Sequence, residues 1–157
     1  MTAYGPGQGP APAPLDDAAL ATILRENPFG VLATTRRDGR PQLSTVLQAF
    51  DADAGLIRIS TTEDRLKVRR LRRDPRAVLH VGTPDHLAFA IVEADAELSD
   101  VTREPGDAVG RELLALQPPF SPADERAFLE QVVADRRLVI RLRVTRLHGT
   151  GLDLKGS

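Results

Sequence analysis

From Leu87 to Leu98 the chain alternates between two kinds of side chain for twelve residues without a break. Ala88, Ala90, Val92, Ala94, Ala96 and Leu98 fall on one side; Leu87, Phe89, Ile91, Glu93, Asp95 and Glu97 fall on the other. A period of two places successive side chains on opposite faces of a strand, and a helix would scatter both sets. A strand of this length spans about 40 Å and needs a sheet to lie in. Its first face is made of small residues, so a neighbour packs closely against it. Its second face changes from apolar to acidic along its length, and the apolar part suits a subunit interface or a flat ligand.

The rest of the chain supplies the other strands. Leu15–Glu26 reads as a helix with Asp16 as N-cap and Leu20, Ile23 and Leu24 on one face. Asn27-Pro28 ends it, because proline disfavours the α conformation in the residue before it. Phe29–Thr35 reads as a buried strand, and Asp38-Gly39 supplies turn chemistry. Pro41–Phe50 returns as a second strand, with proline tolerated at its first position. Leu43, Thr45, Leu47 and Ala49 are expected on its core face, and Gln42, Ser44, Val46, Gln48 and Phe50 on the other. Leu56–Ser60, Ala77–Val81 and Leu138–Leu147 are further strands, the last with a pattern slip near Arg146, Leu147 and His148 that suggests a bulge. Between the long strand and the last one, Pro105–Leu116 and a segment opening at Ser121-Pro122-Ala123-Asp124 read as helices, the second with Ser as N-cap and Pro at the first helical position. The order α-β-β-β-α-β-β-α-α-β predicts a mainly β fold with peripheral helices: a six-stranded, mainly antiparallel barrel.

With 157 residues, one domain is expected. Residues 15–150 are taken as its folded part, between a disordered Pro-, Gly- and Ala-rich N-terminal tail (1–14) and a mobile C-terminal tail (151–157). The tail's Tyr4 carries no expected role. The chain has no Cys, so thiolate catalysis, disulfides and Cys-bound metal are excluded; its three His have no i, i+4 pair to build a metal site. It has no Trp and one Tyr, which leaves no stacking platform for single-stranded nucleic acid. No apolar run approaches the ~20 residues of a membrane span, and the N-terminus lacks the pattern of a secretory signal. A cytoplasmic protein is expected. There is no GxGxxG after a strand, no P-loop and no GxSxG.

Ser60–Pro75 carries the chemistry. A strand ends in Ser60-Thr61-Thr62, and a helix follows with six basic residues between Arg65 and Arg73, in a chain whose net charge is −1. Hydroxyls and N–H groups at a strand end, followed by cations, make an anion grip. On a helical wheel Arg65, Arg69, Arg72 and Arg73 share one arc, opposite Val68 and Leu71. The bland reading of that arc is a solvated surface face. Lys67 lies beside the apolar side and is expected to point toward the protein body.

Taken together, Phe29-Gly30-Val31-Leu32-Ala33-Thr34, Asp38-Gly39-Arg40-Pro41-Gln42-Leu43-Ser44, Ser60-Thr61 with Lys67 six residues on, and Leu71-Arg72-Arg73-Asp74-Pro75 resemble the pyridoxamine 5′-phosphate oxidase-like split β-barrel superfamily. The likeness runs from about residue 15 to 150 and leans toward the deazaflavin branch, whose members bind coenzyme F420. It implies a homodimer of split β-barrels with two cofactor sites at the interface. Pro41, Gln42, Leu43 and Ser44 would contact the tricyclic ring. Ser60, Thr61 and Lys67 would hold the cofactor phosphate, and Arg65 matches a basic position of the deazaflavin branch. The partner subunit would bring His86, Leu87 and Phe89 to the ring. Relatives often carry a Trp in that segment and this chain has none, which affects the substrate pocket rather than the cofactor.

The residues agree with that implication. A phosphorylated tricycle needs an anion grip at one end and a flat, amide-edged groove at the other, and hydride transfer needs no protein nucleophile. The expected function is therefore an oxidoreductase passing hydride from reduced coenzyme F420 to a conjugated small molecule (an enone, quinone, tetrapyrrole or nitroaromatic). The alternatives are an FMN-dependent oxidase or reductase of the same fold and a non-catalytic flavin or deazaflavin carrier. Arg69, Arg72 and Arg73 would suit the longer anionic tail of the deazaflavin. No second dedicated phosphate site stands out in the last strand, which argues against vitamin B6 phosphate as substrate. Nucleic acid is not an expected partner, since one basic helix falls short of a basic face. His148, near a strand end, is either a proton donor at the cofactor edge or a structural residue.

Overall fold

The computed structural model describes residues 5–153. Tyr4 and the outermost tail residues, 1–4 and 154–157, lie outside them. The elements are β1 (Ala13–Pro14), α1 (Asp17–Glu26), β2 (Phe29–Thr35), β3 (Pro41–Leu47), β4 (Ala49–Asp51), β5 (Leu56–Thr62), α2 (Leu66–Arg73), β6 (Arg76–Gly82), β7 (Ala88–Leu98), α3 (Ala108–Ala115), α4 (Pro122–Ala134) and β8 (Arg137–Gly151).

The sheet has eight strands, not the six expected. Seven follow the order β3-β2-β6-β7-β8-β5-β4, and β1 pairs with β8. Two differences account for the count. Ala13 and Pro14 pair with Gly151 and Thr150, so the sheet starts two residues before Leu15 and takes in part of each expected tail. The expected second strand is broken at Gln48 into β3 and β4, which stand at opposite ends of the path. Two sheet ends joined through one residue must come together, so the sheet curls into an open barrel with its seam at Gln48. Three hydrogen bonds fix that seam. The Gln48 backbone N–H donates to Pro28 O (2.7 Å), and its side-chain Nε2 donates to Leu24 O (2.7 Å) and Asn27 O (2.9 Å).

The same bonds overturn the expected faces of β3. Val46 and Gln48 are buried, whereas Leu43 and Leu47 are each 59% exposed. The Gln48 Nε2 finds two carbonyls at the end of α1, which offsets part of the cost of burying the amide; its Oε1 is buried without a partner among the described residues. The register of a strand then turns every second residue outward.

Elsewhere the pattern and the packing agree. Ala90, Val92 and Ala94 of β7 are buried with Leu138, Ile140 and Leu142 of β8 in the main core. β8 carries its bulge at Thr145, where pairing shifts from Glu93↔Arg146 to Ala94↔Val144, and then continues past Leu147 to Gly151. Leu20, Ile23 and Leu24 of α1 enter the same core, as do Val68 and Leu71 of α2. The Asp16 and Ser121 side chains cap α1 and α4 as expected, and Asp107 caps α3. Helices α3 and α4 cover the outer side of β8, burying Val139 beneath Leu113 and Val132. No helix among the described residues is long and apolar enough to cross a membrane.

Candidate functional site

β5 runs two residues beyond its expected end, through Thr61 and Thr62, before the chain turns into α2. Alternation puts Thr61 inside, 5% exposed, with Ser60 and Thr62 on the outer face. Arg65 holds extended geometry at the N-cap of α2 and no side chain caps the helix. The Val68 N–H donates to the Arg65 carbonyl at 3.1 Å, and the positive end of α2, with the Leu66 and Lys67 N–H groups, is left for an outside partner.

A groove of about 440 Å³ opens at this corner. Ser60, Thr61, Arg65 and Lys67 all line it, together with Thr45–Leu47 of β3 and Arg137 of β8. Four residues expected to form one grip are thus brought together. The two carboxylates of the turn before α2 have hydrogen-bond partners of their own. Asp64 accepts from the Thr62 hydroxyl, and Glu63 is paired with Arg136. Neither Lys67 nor Arg65 forms an ion pair among the described residues. Half-burial pushes the Lys67 ammonium below its usual value of 10.5, and the Arg65 charge adds to that. A half-buried cation beside a second cation, with no ion-paired acid among the described residues, favours an anionic ligand. The donor set of two cations, hydroxyls and helix N–H groups fits a phosphate.

β3 leads away from the groove. It is the last strand on its side of the sheet, hydrogen-bonded only to β2. Its free edge presents unpaired backbone groups along Pro41–Leu47, and Gln42 and Ser44 lie half-buried on its inner side. The groove itself meets β3 at Thr45–Leu47. Pro41 lines a separate hollow with Arg76 and Glu93, and the Leu43 side chain points outward.

Leu87 and Phe89 stand apart from the groove. Phe89 stacks on His80 across the β6–β7 ladder, centroids 5.3 Å apart at 24°. The Leu87 carbonyl accepts from the Leu152 N–H. His86 has φ 62°, a left-handed conformation that costs a non-glycine residue about 1 kcal/mol. With His80, Phe29, Val31 and Thr45 it lines an apolar pocket of about 340 Å³, which shares Phe29 and Thr45 with the groove. His148 lies across the ladder from Ile91, 3.7 Å from a Glu93 carboxylate oxygen. It is eleven residues along β8 from Arg137, about 35 Å of strand.

Arg137, and the grouping of Arg37 and Arg70 with the expected Arg69 and Arg73, were not singled out in the sequence. Arg137 reaches the groove through the β5–β8 ladder, 77 residues from Ser60. A second hollow, formed by Arg37, Leu66, Arg69, Arg70 and Arg73, lies on the adjoining face of α2, and the Arg70 Nε is buried there without a partner.

Known structures share this architecture. A protein described as an F420 reductase is 29% identical, with 79% of this chain and 92% of that one aligned and a TM-score of 0.56. A conserved hypothetical protein of Mycobacterium tuberculosis is 24% identical over 87% of this chain and 85% of its own, with a TM-score of 0.67. A pyridoxamine 5′-phosphate oxidase-related, FMN-binding protein of Nostoc punctiforme is 16% identical over 90% and 86%, with a TM-score of 0.62. The profile of the pyridoxamine 5′-phosphate oxidase family matches residues 16–150, and the chain belongs to that family.

Proposed function

We propose that this chain is an oxidoreductase that binds a ribityl-phosphate redox cofactor in the groove between β5, α2 and β3. The deazaflavin coenzyme F420 is the leading candidate and FMN the alternative. One observation carries the reading: Lys67 and Arg65 line one groove with Ser60 and Thr61, and neither cation forms an ion pair among the described residues. The F420 reductase is the more similar in sequence of the cofactor-binding relatives described above. The arginine hollow on the adjoining face of α2 suits the carboxylates that extend the deazaflavin past its phosphate.

When bound, such a cofactor supplies hydride chemistry, here toward a conjugated small-molecule acceptor. The chain's own residues bind and orient. Lys67 and Arg65 neutralise the phosphate, and Ser60 donates to its oxygens. The free edge of β3, with Gln42 and Ser44, offers donors and acceptors to the ring's polar rim, and Pro41 and Leu43 flank that edge.

The second element of the proposal is a homodimer. Seven large apolar side chains are exposed among the described residues, and five of them, Phe29, Val31, Leu43, Leu47 and Val78, lie on one face of β2, β3 and β6. Pairing two such faces would remove the patch from water. It would also let His86, Leu87 and Phe89 of one copy approach the groove of the other.

Parallel titrations with oxidised deazaflavin and with FMN, read by absorbance and fluorescence, test the cofactor. Binding of either supports the reading, and the tighter ligand identifies the cofactor. No binding of either at tens of micromolar overturns it. Turnover over a panel of acceptors, with binding established, separates an enzyme from a carrier.

A further inference from the structure

We propose that Arg137 is a third cationic ligand of the groove's anion, supplied from β8, and that it sets the orientation of the Ser60 hydroxyl. This deepens the cofactor reading and rests on it.

Arg137 opens β8 directly opposite Thr62 in the β5–β8 ladder. Residues opposite each other on paired strands share a face, so its side chain rises on the Ser60–Thr62 side and lines the groove with Arg65 and Lys67. Its Nη1 donates to Ser60 Oγ at 3.2 Å. A serine oxygen that accepts a hydrogen bond still has its own proton to donate. With Arg137 on its acceptor side, Ser60 turns that proton outward, where an anionic oxygen would take it.

The guanidinium is paired with one carboxylate, at long range and through Nε alone. Its acidic neighbour, Asp135, lies 3.5 Å from Nε, at the far limit of a hydrogen bond, and Asp135 also accepts from Gln131 Nε2 at 2.7 Å. Nε and Nη1 are accounted for in this way by Asp135 and Ser60, and the remaining donors of the fork have no hydrogen-bond partner among the described residues and suit a phosphate.

The backbone before Arg137 is held in place by the grip itself. Arg136 has φ 54°, a left-handed conformation seldom taken by a side chain of this size. Glu63, one residue after the hydroxyl run, holds it twice. The Glu63 N–H donates to the Arg136 carbonyl at 3.2 Å, and the Glu63 carboxylate pairs with the Arg136 guanidinium. The loop that presents Lys67 and Arg65 therefore also fixes where β8 begins, and strained residues of this kind gather at ligand clamps.

The groove extends on the far side of Arg137. Arg137, Ser60 and Leu47 also line a second cavity of about 470 Å³ beneath α3 and α4. Arg137 thus stands at the junction of two spaces, only one of which Lys67 also lines.

The test compares ligands that differ by the phosphate alone: FMN against riboflavin, and the tail-free ribityl phosphate of the deazaflavin against the same compound without its phosphate. Arg137→Gln should weaken the phosphate-bearing ligand roughly ten- to hundredfold, the range for losing a charged hydrogen bond, and leave the phosphate-free one within about twofold. Arg137→Lys should recover part of the loss. Asp135→Asn, which frees the guanidinium, should bind at least as tightly as the parent. Thermal melts identify folded variants, and Arg137→Lys serves if Arg137→Gln does not fold. An unchanged phosphate preference in a folded variant overturns the role of Arg137 and leaves the cofactor reading standing. A parent protein with no phosphate preference overturns both.

Discussion

Glu112 grips Arg141 with both of its carboxylate oxygens, Nε to Oε1 at 2.8 Å and Nη2 to Oε2 at 2.6 Å. The same Oε1 accepts from Arg58 Nε at 3.1 Å, and Arg58 in turn pairs with Asp51. One carboxylate on α3 thus ties that helix to β5 and β8 and to the floor of the cavity beyond Arg137. Arg141 and then Arg58 hold the Glu112 carboxyl below its usual value of 4.5, against the opposing effect of burial. A depressed carboxyl contributes stability that is complete above the unfolded pKa and fades as pH falls through the folded one. Glu112→Gln should cost about 1–2 kcal/mol at pH 7, since the pair is partly solvent-screened. Urea melts should show that difference shrinking as pH drops below about 4.5. A constant difference down to pH 3 would assign the loss to packing.

Gly149 faces Ala90 across the β7–β8 ladder, and a Cβ there would fall on the Phe89 carbonyl, well inside contact distance, and press on Leu20 of α1. Backbone cannot yield as a flexible side chain can. Gly149→Ala should therefore destabilise the fold by about 3 kcal/mol or more, read as a lowered melting temperature. Gly39→Ala meets open space, and its only cost is a φ of 85° in an exposed turn. It should lose about 1 kcal/mol. A Gly149→Ala protein as stable as Gly39→Ala would show that β7 and β8 can separate at this point.

The exposed face of β2, β3 and β6 gives a third test. Leu43→Glu and Leu47→Glu place charges on side chains already 59% exposed, so a single chain should fold with a change within about 0.5 kcal/mol. If this face joins two copies, each variant should shift sedimentation or light scattering to the mass of one chain. Cofactor affinity should fall with it, since the second copy's His86–Phe89 segment would be lost. A dimer that survives both substitutions would place the interface elsewhere.

This face also marks the limit of what the sequence discloses. Alternation in Pro41–Phe50 was legible, but its direction was not. Leu43 and Leu47 look like core by polarity, and Gln48 looks like surface. The order is reversed because Leu24 and Asn27 offer carbonyls to the Gln48 amide, a contact between α1 and the strand seam that no local pattern encodes. Apolar residues for a core and for an exposed patch read alike in one chain. By contrast, Ser60, Thr61, Arg65 and Lys67 were legible as a group because a strand end and the helix after it are neighbours in sequence as well as in space. The caps at Asp16 and Ser121 were legible for the same local reason. Arg137 was not, because pairing across 77 residues brings it to Ser60 and its own surroundings carry no signal beyond charge.

The basic helix divides into two parts, and one pair of substitutions tests the division. Arg73 Nη2 donates to the Thr35 carbonyl at 2.6 Å and so fastens α2 to the end of β2, whereas Lys67 lines the groove. Arg73→Ala should cost about 1 kcal/mol of stability and leave affinity for FMN, which has no carboxylate tail to reach the arginine hollow, unchanged. Lys67→Ala should weaken that affinity roughly ten- to hundredfold. The pH dependence separates them further. Desolvation first, and Arg65 second, lower the Lys67 pKa from 10.5. Between the lowered value and 10.5 the unfolded chain holds a proton that the folded one has lost. Through Lys67, the stability of the cofactor-free protein therefore rises with pH in that window. A bound phosphate favours the ammonium, so binding takes up a proton in the same range and affinity should fall as pH rises through it. Lys67→Ala should abolish that alkaline decline while Arg73→Ala keeps it. Isothermal titration of the three proteins in buffers of different ionisation enthalpy reads the proton uptake directly. An alkaline decline that persists in Lys67→Ala would assign the titrating cation to another residue.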